Sequence, residues 1–151
     1  MRVKQVAGDA ARGGRVTFVA VLDKGDEAVE ALTRFAAEHG IDAGQLTAIG
    51  AFSRATLGWF DRQARDYRRI PVDEQAEVLS LLGDLAPGED GRPKLHAHAV
   101  LGRADGGTVG GHLLAGEVWP TLEVVVSEAP AALRKRTDRE TGLALIDLDA
   151  R

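Results

Sequence analysis

Three of the four histidines in this 151-residue chain lie within seventeen consecutive positions. His96 and His98 occur in the segment PKLHAHAVLGR, and His112 follows two glycines in the segment TVGGHLLAG. Neutral imidazole is a common ligand for Zn²⁺, and it also suits Ni²⁺, Co²⁺ and Fe²⁺. If the three rings meet, they predict a catalytic-type metal site with an open fourth position. The alternative is that these are half-buried sheet residues that make ordinary hydrogen bonds.

The convergence of the rings depends on the hairpin that joins their strands. Two histidines separated by one residue share a face of a strand, with Cα atoms about 7 Å apart. A three-residue loop at 104–106 would pair His98 directly with His112, and a loop at 105–107 would place His112 diagonally on the same face. A two-residue loop in this segment would turn His112 to the other face. A bulge at the glycine pair 110–111 would also change the face.

The surrounding elements predict an α+β fold. Apolar residues at helical spacing in DEAVEALTRFAAEHG predict a helix, with Asp26 as N-cap and Gly40 just beyond its C-terminus. The segment RVTFVAVL, 15–22, predicts a strand before it. One helix followed by many strands indicates a largely antiparallel β-sheet with one main helix packed on a face.

Strands are predicted along most of the chain after the helix. Pro71 indicates an edge strand, because proline cannot donate to a ladder. The segment AEVLSLLGDLA is ambiguous between helix and strand, and Gly83 favours strand. The predicted strands are 45–53 and 55–61 (or one bent strand), 68–74, 76–86, 94–103, 108–116 and 118–128.

Composition restricts the class of protein. Residues 1–14 predict a flexible lead-in, and residues 15–151 predict a single domain. The chain has no cysteine, which excludes disulfides and thiolate ligands. The net charge of -4 argues against non-specific binding of nucleic acid as the main task. Because the sequence shows no membrane-length apolar run and no signal-peptide pattern, we expect a cytoplasmic protein without a membrane partner.

Several short motifs together resemble the PPC domain, the "plants and prokaryotes conserved" family. The motifs are HAH (96–98), GGHL (110–113), Gly116 with Val118, and TLEVVV (121–126). The segments GAFSRATLGWFD and GDEAVEALTRFAAEHGI are also similar to the family. The resemblance covers about residues 15–128.

The resemblance implies an α+β fold, a homotrimer and an odd-length hairpin loop. Some prokaryotic members hold a metal at the histidines that align with His96, His98 and His112, so we expect a divalent ion, with Zn²⁺ as the first candidate. The open position could take water or a small anionic ligand. The family's biochemical role is largely unassigned, and the sequence names no substrate.

The second hypothesis is a DNA-binding or transcription-associated oligomerisation module. In plant members the domain follows an AT-hook, which enters the minor groove of A·T-rich DNA. Here GRPK (91–94) lacks the first arginine of a hook and follows Glu89 and Asp90. We interpret it as a turn before the histidine strand, which disfavours DNA binding. The basic residues at 134–136 predict a solvated patch, with weak phosphate binding as the alternative.

Two further residues are candidates for the surroundings of the metal. Thr121 and Glu123 would share a face of a regular strand. Glu123 could orient an imidazole or act as a general base in metal-activated hydrolysis or lyase chemistry. The alternative for Glu123 is a solvated or subunit-facing carboxylate.

Overall fold

The computed structural model describes residues 1–8, 15–129 and 133–149, and all structural statements below concern these residues. They form one helix and nine strands. In chain order the elements are β1 (Arg2–Ala7), β2 (Thr17–Asp23), α1 (Ala28–Glu38), β3 (Gly44–Asp61), β4 (Asp66–Val72), β5 (Ala76–Pro87), β6 (Pro93–Gly102), β7 (Thr108–Glu128), β8 (Arg134–Thr137) and β9 (Ala144–Asp147).

Seven strands form one antiparallel sheet in the order β1-β2-β7-β6-β5-β3-β4. Strand β3 also pairs with β7, so the ladder β3-β5-β6-β7 returns to its starting strand. Strands β8 and β9 form a separate two-stranded hairpin. The α+β fold with a largely antiparallel sheet and one helix is therefore confirmed.

The helix α1 buries one face against the sheet. Its buried residues are Ala28, Ala31, Leu32, Phe35 and Ala36, which recur at the spacing of one helical face. They share a core with Ala97, Ala99 and Leu101 of β6. Because side chains alternate along a strand, the even-numbered residues of this part of β6 project from the opposite face. We call this opposite face the outer face.

The N-cap of α1 is Glu27, and the prediction of Asp26 was wrong by one residue. Glu27 Oε2 accepts from Glu30 N at 2.8 Å, and its Oε1 accepts from Gly116 N at 2.8 Å. The longer side chain of Glu27 can thus cap the helix and also join its start to β7. The shorter side chain of Asp26 makes neither contact. Gly40 follows the helix with φ 62°, as predicted.

Residues 2–7 are not a flexible lead-in. They form β1, which pairs with β2 along its length, with Val3 opposite Ala20. The strand lies at the edge of the sheet and is mostly exposed, so its polar sequence fits a ladder held by backbone hydrogen bonds. The remainder of the predicted lead-in, from residue 9 to residue 14, lies outside the described residues.

Two long strands, β3 and β7, each include two of the predicted segments, and for β3 the sequence analysis gave one bent strand as an alternative. The predicted strands 108–116 and 118–128 are one strand, β7, which continues through Glu117 without a turn. The segments 45–53 and 55–61 are likewise one strand, β3, with register shifts against β7 between Phe52 and Arg54. The strand assignment of 76–86 is confirmed within β5, and Pro71 lies on the edge strand β4. Among the described residues, no helix is long and apolar enough to cross a membrane.

Candidate metal centre

The β6–β7 hairpin places His98 directly opposite His112. Its three-residue loop is 104–106, closed by a hydrogen bond from Arg103 N to Gly107 O at 2.8 Å. Gly106 supplies the left-handed residue of this loop, with φ 82°. The pairing continues through the glycine pair 110–111 without a bulge. Of the predicted alternatives, the loop at 104–106 is therefore the one that forms.

The three histidines meet on the outer face. One nitrogen from each of His96, His98 and His112 lies within 4.8 Å of the others. The Nε2 atoms of His96 and His98 are 3.2 Å apart, close to the roughly 3.3 Å separation of two nitrogens bound to one tetrahedral Zn²⁺. The ring centroids are 5.2 to 5.4 Å apart in all three pairs. The rings form a compact triangle contributed by two adjacent strands.

A carboxylate on the next strand orients one ring of the triangle. Asp84 of β5 lies directly opposite His96, and its Oδ2 is 3.0 Å from His96 Nδ1. A carboxylate at this position accepts a hydrogen bond from Nδ1–H and leaves the lone pair of Nε2 directed toward His98. Hydrogen bonds of this kind fix the tautomer and orientation of metal-binding histidines.

An aromatic ring packs on the third histidine. Tyr67 of β4 stacks on His112, with ring centroids 4.6 Å apart and an interplanar angle of 20°. Gly58 lies opposite His112 on β3, and a Cβ atom added there would lie 2.7 Å from the Tyr67 ring. The glycine therefore provides the space that allows Tyr67 to cross β3 and reach His112.

The surroundings favour the neutral form of two of the rings, those of His98 and His112. Burial is the main cause that lowers the pKa of His112 to about 4, followed by the charges of His96, His98 and Lys135. Burial and then the charge of His96 lower the pKa of His98. Burial also raises the pKa of Tyr67, so its phenol stays protonated. Metal binding requires unprotonated imidazole, and burial favours this form at His98 and His112.

The residues present fit a divalent metal ion. Three imidazoles without a thiolate suit Zn²⁺ and neighbouring transition metals. The Nδ1 atom of His112 is buried and has no hydrogen-bond partner among the described residues. A buried polar atom without a partner is costly, and such an atom indicates a missing water or ion. The site thus has both the donor set and an unmet polar group.

Thr121 and Glu123 do not lie at this cluster. Thr121 Oγ1 donates to Leu22 O at 3.2 Å, and Glu123 is exposed and pairs with Val21 and Ile49. Because β7 is continuous, Glu123 is separated from His112 by roughly 30 Å of strand. Within a single chain, the prediction that Thr121 and Glu123 lie beside the histidines was therefore wrong. It assumed that 108–116 and 118–128 were two separate strands. The alternative of a solvated carboxylate agrees with the structure.

Sequence reasoning missed Asp84, Tyr67 and Lys135. The signal for Asp84 was present, because 76–86 and 94–103 are predicted neighbouring strands joined by a short loop. If these two strands form a hairpin in the observed register, in which Leu82 pairs with His98, Asp84 lies opposite His96. Tyr67 had no such signal, because its contact depends on a glycine in an intervening strand. Lys135 was assigned to a solvated patch, but the residue is 3% exposed.

Comparison with known proteins identifies the family. Residues 9–130 match the Plants and Prokaryotes Conserved (PCC) domain, the family abbreviated PPC above. A 107-residue segment is 37% identical to the bifunctional protein GlmU of Synechococcus sp. (strain JA-3-3Ab). The match covers 70% of this chain and 16% of that relative, so the chain spans about one sixth of the relative's length.

Solved structures of similar proteins share the fold. A plant- and prokaryote-conserved protein of Pyrococcus horikoshii is 26% identical, with a TM-score of 0.82 and coverage of 97% of this chain and 94% of the other. The metal-containing protein AF0104 of Archaeoglobus fulgidus is 32% identical, with a TM-score of 0.80 and coverage of 97% and 98%. A protein of Bacteroides thetaiotaomicron, described as putative DNA binding, is 28% identical, with a TM-score of 0.83 and coverage of 89% and 93%. This chain therefore belongs to the PPC family.

Proposed function

We propose that this chain binds one divalent metal ion through His96, His98 and His112, with Zn²⁺ as the preferred ion. The observation that carries the proposal is the convergence of three imidazole nitrogens within 4.8 Å on one face of the sheet. A structurally similar protein, 32% identical, is described as metal-containing, which supports the same assignment here. Three protein ligands leave one position of a tetrahedral ion for water or a small anion.

Binding of a small anion is the activity that we propose for this site. A bound divalent ion would supply Lewis acidity and would lower the pKa of a coordinated water. Hydrolysis or lyase chemistry also needs a proton acceptor near the open position. The carboxylate at the cluster, Asp84, is already engaged by His96 and by Lys135, and Glu123 is remote. The chain's own groups therefore orient ligands and leave the open position free to bind an anion.

A titration with Co²⁺ tests the metal site. Protein prepared without a polyhistidine tag should bind one Co²⁺ per chain and develop the strong visible absorption of tetrahedral cobalt. Zn²⁺ should displace the Co²⁺, because Zn²⁺ has no d-electron preference for the octahedral geometry that Co²⁺ gives up on entering a tetrahedral site. The matched control is His39→Ala, since His39 lies at the end of α1 against Phe35 and outside the cluster. Equal absorption by wild type and His98→Ala would contradict the proposal.

We infer further that the chain is a homotrimer, as the family resemblance implies. The outer face carries large apolar side chains that are 42 to 62% exposed, namely Ile49, Leu79, Leu82, Val100 and Val125. We call these five residues the apolar patch. An exposed apolar patch is typical of a protein interaction site. Sedimentation or light scattering should give three times the 16.0 kDa chain mass, and a monomer at micromolar concentration would contradict the inference.

The apolar patch and the metal centre adjoin each other. Leu82 lies directly opposite His98 on the neighbouring strand. On its other side, Leu82 of β5 pairs with Thr47 of β3, and Thr47 pairs in turn with Val125 of β7. These residues form one row across the sheet. An oligomer formed through this row would lie beside the histidines and would limit access to the open coordination position.

DNA binding is the second candidate function, because two structurally similar proteins are described as putative DNA binding. In this chain the hook-like residues 91–94 are in the turn and first residues of β6, as predicted, and Lys94 pairs with Asp90 at 3.0 Å. A gel shift that weakens steeply with salt would support this function. We expect no shift at physiological salt. The cytoplasmic location predicted from the sequence stays a prediction.

A further inference from the structure

Lys135 is the one buried charged residue among the described residues, at 3% exposure. It lies on β8, in the C-terminal hairpin formed by β8 and β9. Its ammonium forms an ion pair with Asp84 Oδ1 and donates to Lys94 O at 3.3 Å. Burying an ammonium group costs free energy that a close counter-charge must offset. The hairpin therefore docks on the sheet with its lysine directed at Asp84.

The two oxygens of Asp84 are divided between two donors. Oδ1 forms the ion pair with Lys135, and Oδ2 accepts from His96 Nδ1 at 3.0 Å. A carboxylate has acceptors only, so its contact with His96 requires the proton on Nδ1. The Nε2 atom of His96, 3.2 Å from that of His98, then carries the free lone pair. A chain of three contacts thus connects the C-terminal hairpin to the histidine cluster.

The hairpin also covers one side of the cluster. Leu143 and Leu145 of the hairpin line a cavity of about 220 Å³ together with His96, His112 and Tyr67. The hairpin lies beyond residues 9–130, which match the family. The contact with Asp84 is therefore made by a segment that the family match does not include.

We propose that Lys135 is a positioning residue for the metal centre, and this inference rests on the proposed function. Lys135 holds Asp84 in the orientation that fixes the tautomer and direction of His96. Loss of the ammonium leaves the carboxylate without its counter-charge, so it rotates toward solvent and releases Nδ1 of His96.

Lys135→Met tests the proposal, with Arg136→Met as the matched control. Arg136 is on the same strand and pairs with Asp147, so its loss removes the same charge without touching Asp84. In metal-free protein, ¹⁵N spectra of the imidazoles should show His96 protonated at Nδ1 in wild type and in the control. Lys135→Met should shift this tautomer toward Nε2–H and should weaken Co²⁺ binding roughly tenfold. Lys135→Arg, which keeps the positive charge, should retain the wild-type tautomer of His96 and the wild-type Co²⁺ affinity.

Asp84→Asn keeps the proposal testable if Lys135→Met does not fold. The amide has one acceptor oxygen for two donors, so it can serve Lys135 or His96 but not both. We expect the same change of tautomer and a loss of Co²⁺ affinity of about tenfold or more.

Three results would distinguish failure of this inference from failure of the proposed function. Unchanged tautomer and Co²⁺ affinity in a folded Lys135→Met variant would overturn the positioning role. Tighter Co²⁺ binding would also overturn it, because it would mean that Lys135 acts only by repelling the cation. If wild type bound no Co²⁺ at all, the proposed function would fail, and with it the role that we assign to Lys135.

Discussion

The two ends of strand β7 differ: one carries a buried polar atom without a hydrogen bond in the described part of the chain, and the other carries an exposed apolar side chain. At its beginning, residues 108–112 pair with β6 and carry His112, whose buried Nδ1 atom has no partner among the described residues. Toward its end, residues 121–126 pair with β2 and present Val125 to solvent, 42% exposed. We call these segments the histidine end and the valine end.

The difference indicates that each end of the strand suits a different kind of contact. A buried nitrogen without a partner requires a polar group or an ion, because leaving it unmet is costly. An exposed apolar side chain requires only apolar cover, which a second copy of the chain can supply. The proposed metal site therefore lies at one end of the strand and the proposed association surface at the other, and substitutions should separate the two.

The largest effect should come from removing an imidazole at the histidine end. His112→Ala leaves two ring ligands, and we expect Co²⁺ affinity to fall by at least about 100-fold, since loss of an outer contact alone costs 10- to 100-fold. Competition with a chromophoric chelator measures the affinity. Val125→Ala at the valine end is the control. A His112→Ala variant with wild-type affinity would show that the two ends do not differ in this way.

At the valine end, Ile49→Asp should disrupt association. Ile49 is 62% exposed and lies opposite Glu123, so a new carboxylate would place like charges side by side on the apolar patch. We expect the sedimentation mass to fall from trimer to monomer. Circular dichroism should show a folded chain, and Co²⁺ binding should remain. A trimer of unchanged stability would exclude the apolar patch as the interface.

Gly58→Ala should lower stability near the histidine end. The added Cβ atom would lie 2.7 Å from the ring of Tyr67, so the ring must move away from His112. Overpacking of this kind costs about 1 to 3 kcal/mol. Thermal unfolding of metal-free protein measures the loss, and the double variant Gly58→Ala with Tyr67→Leu should recover part of it. No change in the single variant would mean that the ring has another position available.

Acid should destabilise the metal-free protein through His112. The folded state lowers the pKa of this ring from 6.5 to about 4, mainly by burial. Between these values the unfolded chain binds a proton that the folded chain does not, so stability falls as the pH falls from about 6.5 to 4. Above about pH 6.5 the ring is unprotonated in both the folded and the unfolded chain, so this loss of stability is absent. Melting temperatures in the presence of a chelator should show this decline, and His112→Gln should show less of it.

The smallest effect is expected for Glu123→Gln. The side chain is exposed at the valine end, far along β7 from the histidines. We expect Co²⁺ affinity to stay within twofold of wild type, by the same competition assay. A loss of tenfold would mean that Glu123 of another chain reaches the cluster, and it would join the two ends of the strand into one site.

The convergence of the three histidines was predictable from the sequence, but most of the residues that surround them were not. Strand periodicity and loop length limited His112 to a few positions, and the loop at 104–106 was one of those predicted. The error at Glu123 came from dividing β7 into two strands at Glu117. Local composition does not show that pairing with a neighbouring strand continues through this position. Lys135 could not be placed, because its burial depends on a hairpin that docks from the far end of the chain.

Anomalous diffraction at the zinc absorption edge tests the central claim most directly. The crystals should contain protein without a tag that has been equilibrated with Zn²⁺. The account predicts one peak per chain, about 2.1 Å from a nitrogen of each of His96, His98 and His112. A zinc-equilibrated crystal with no peak between these three rings, or with the peak at other residues, would contradict it.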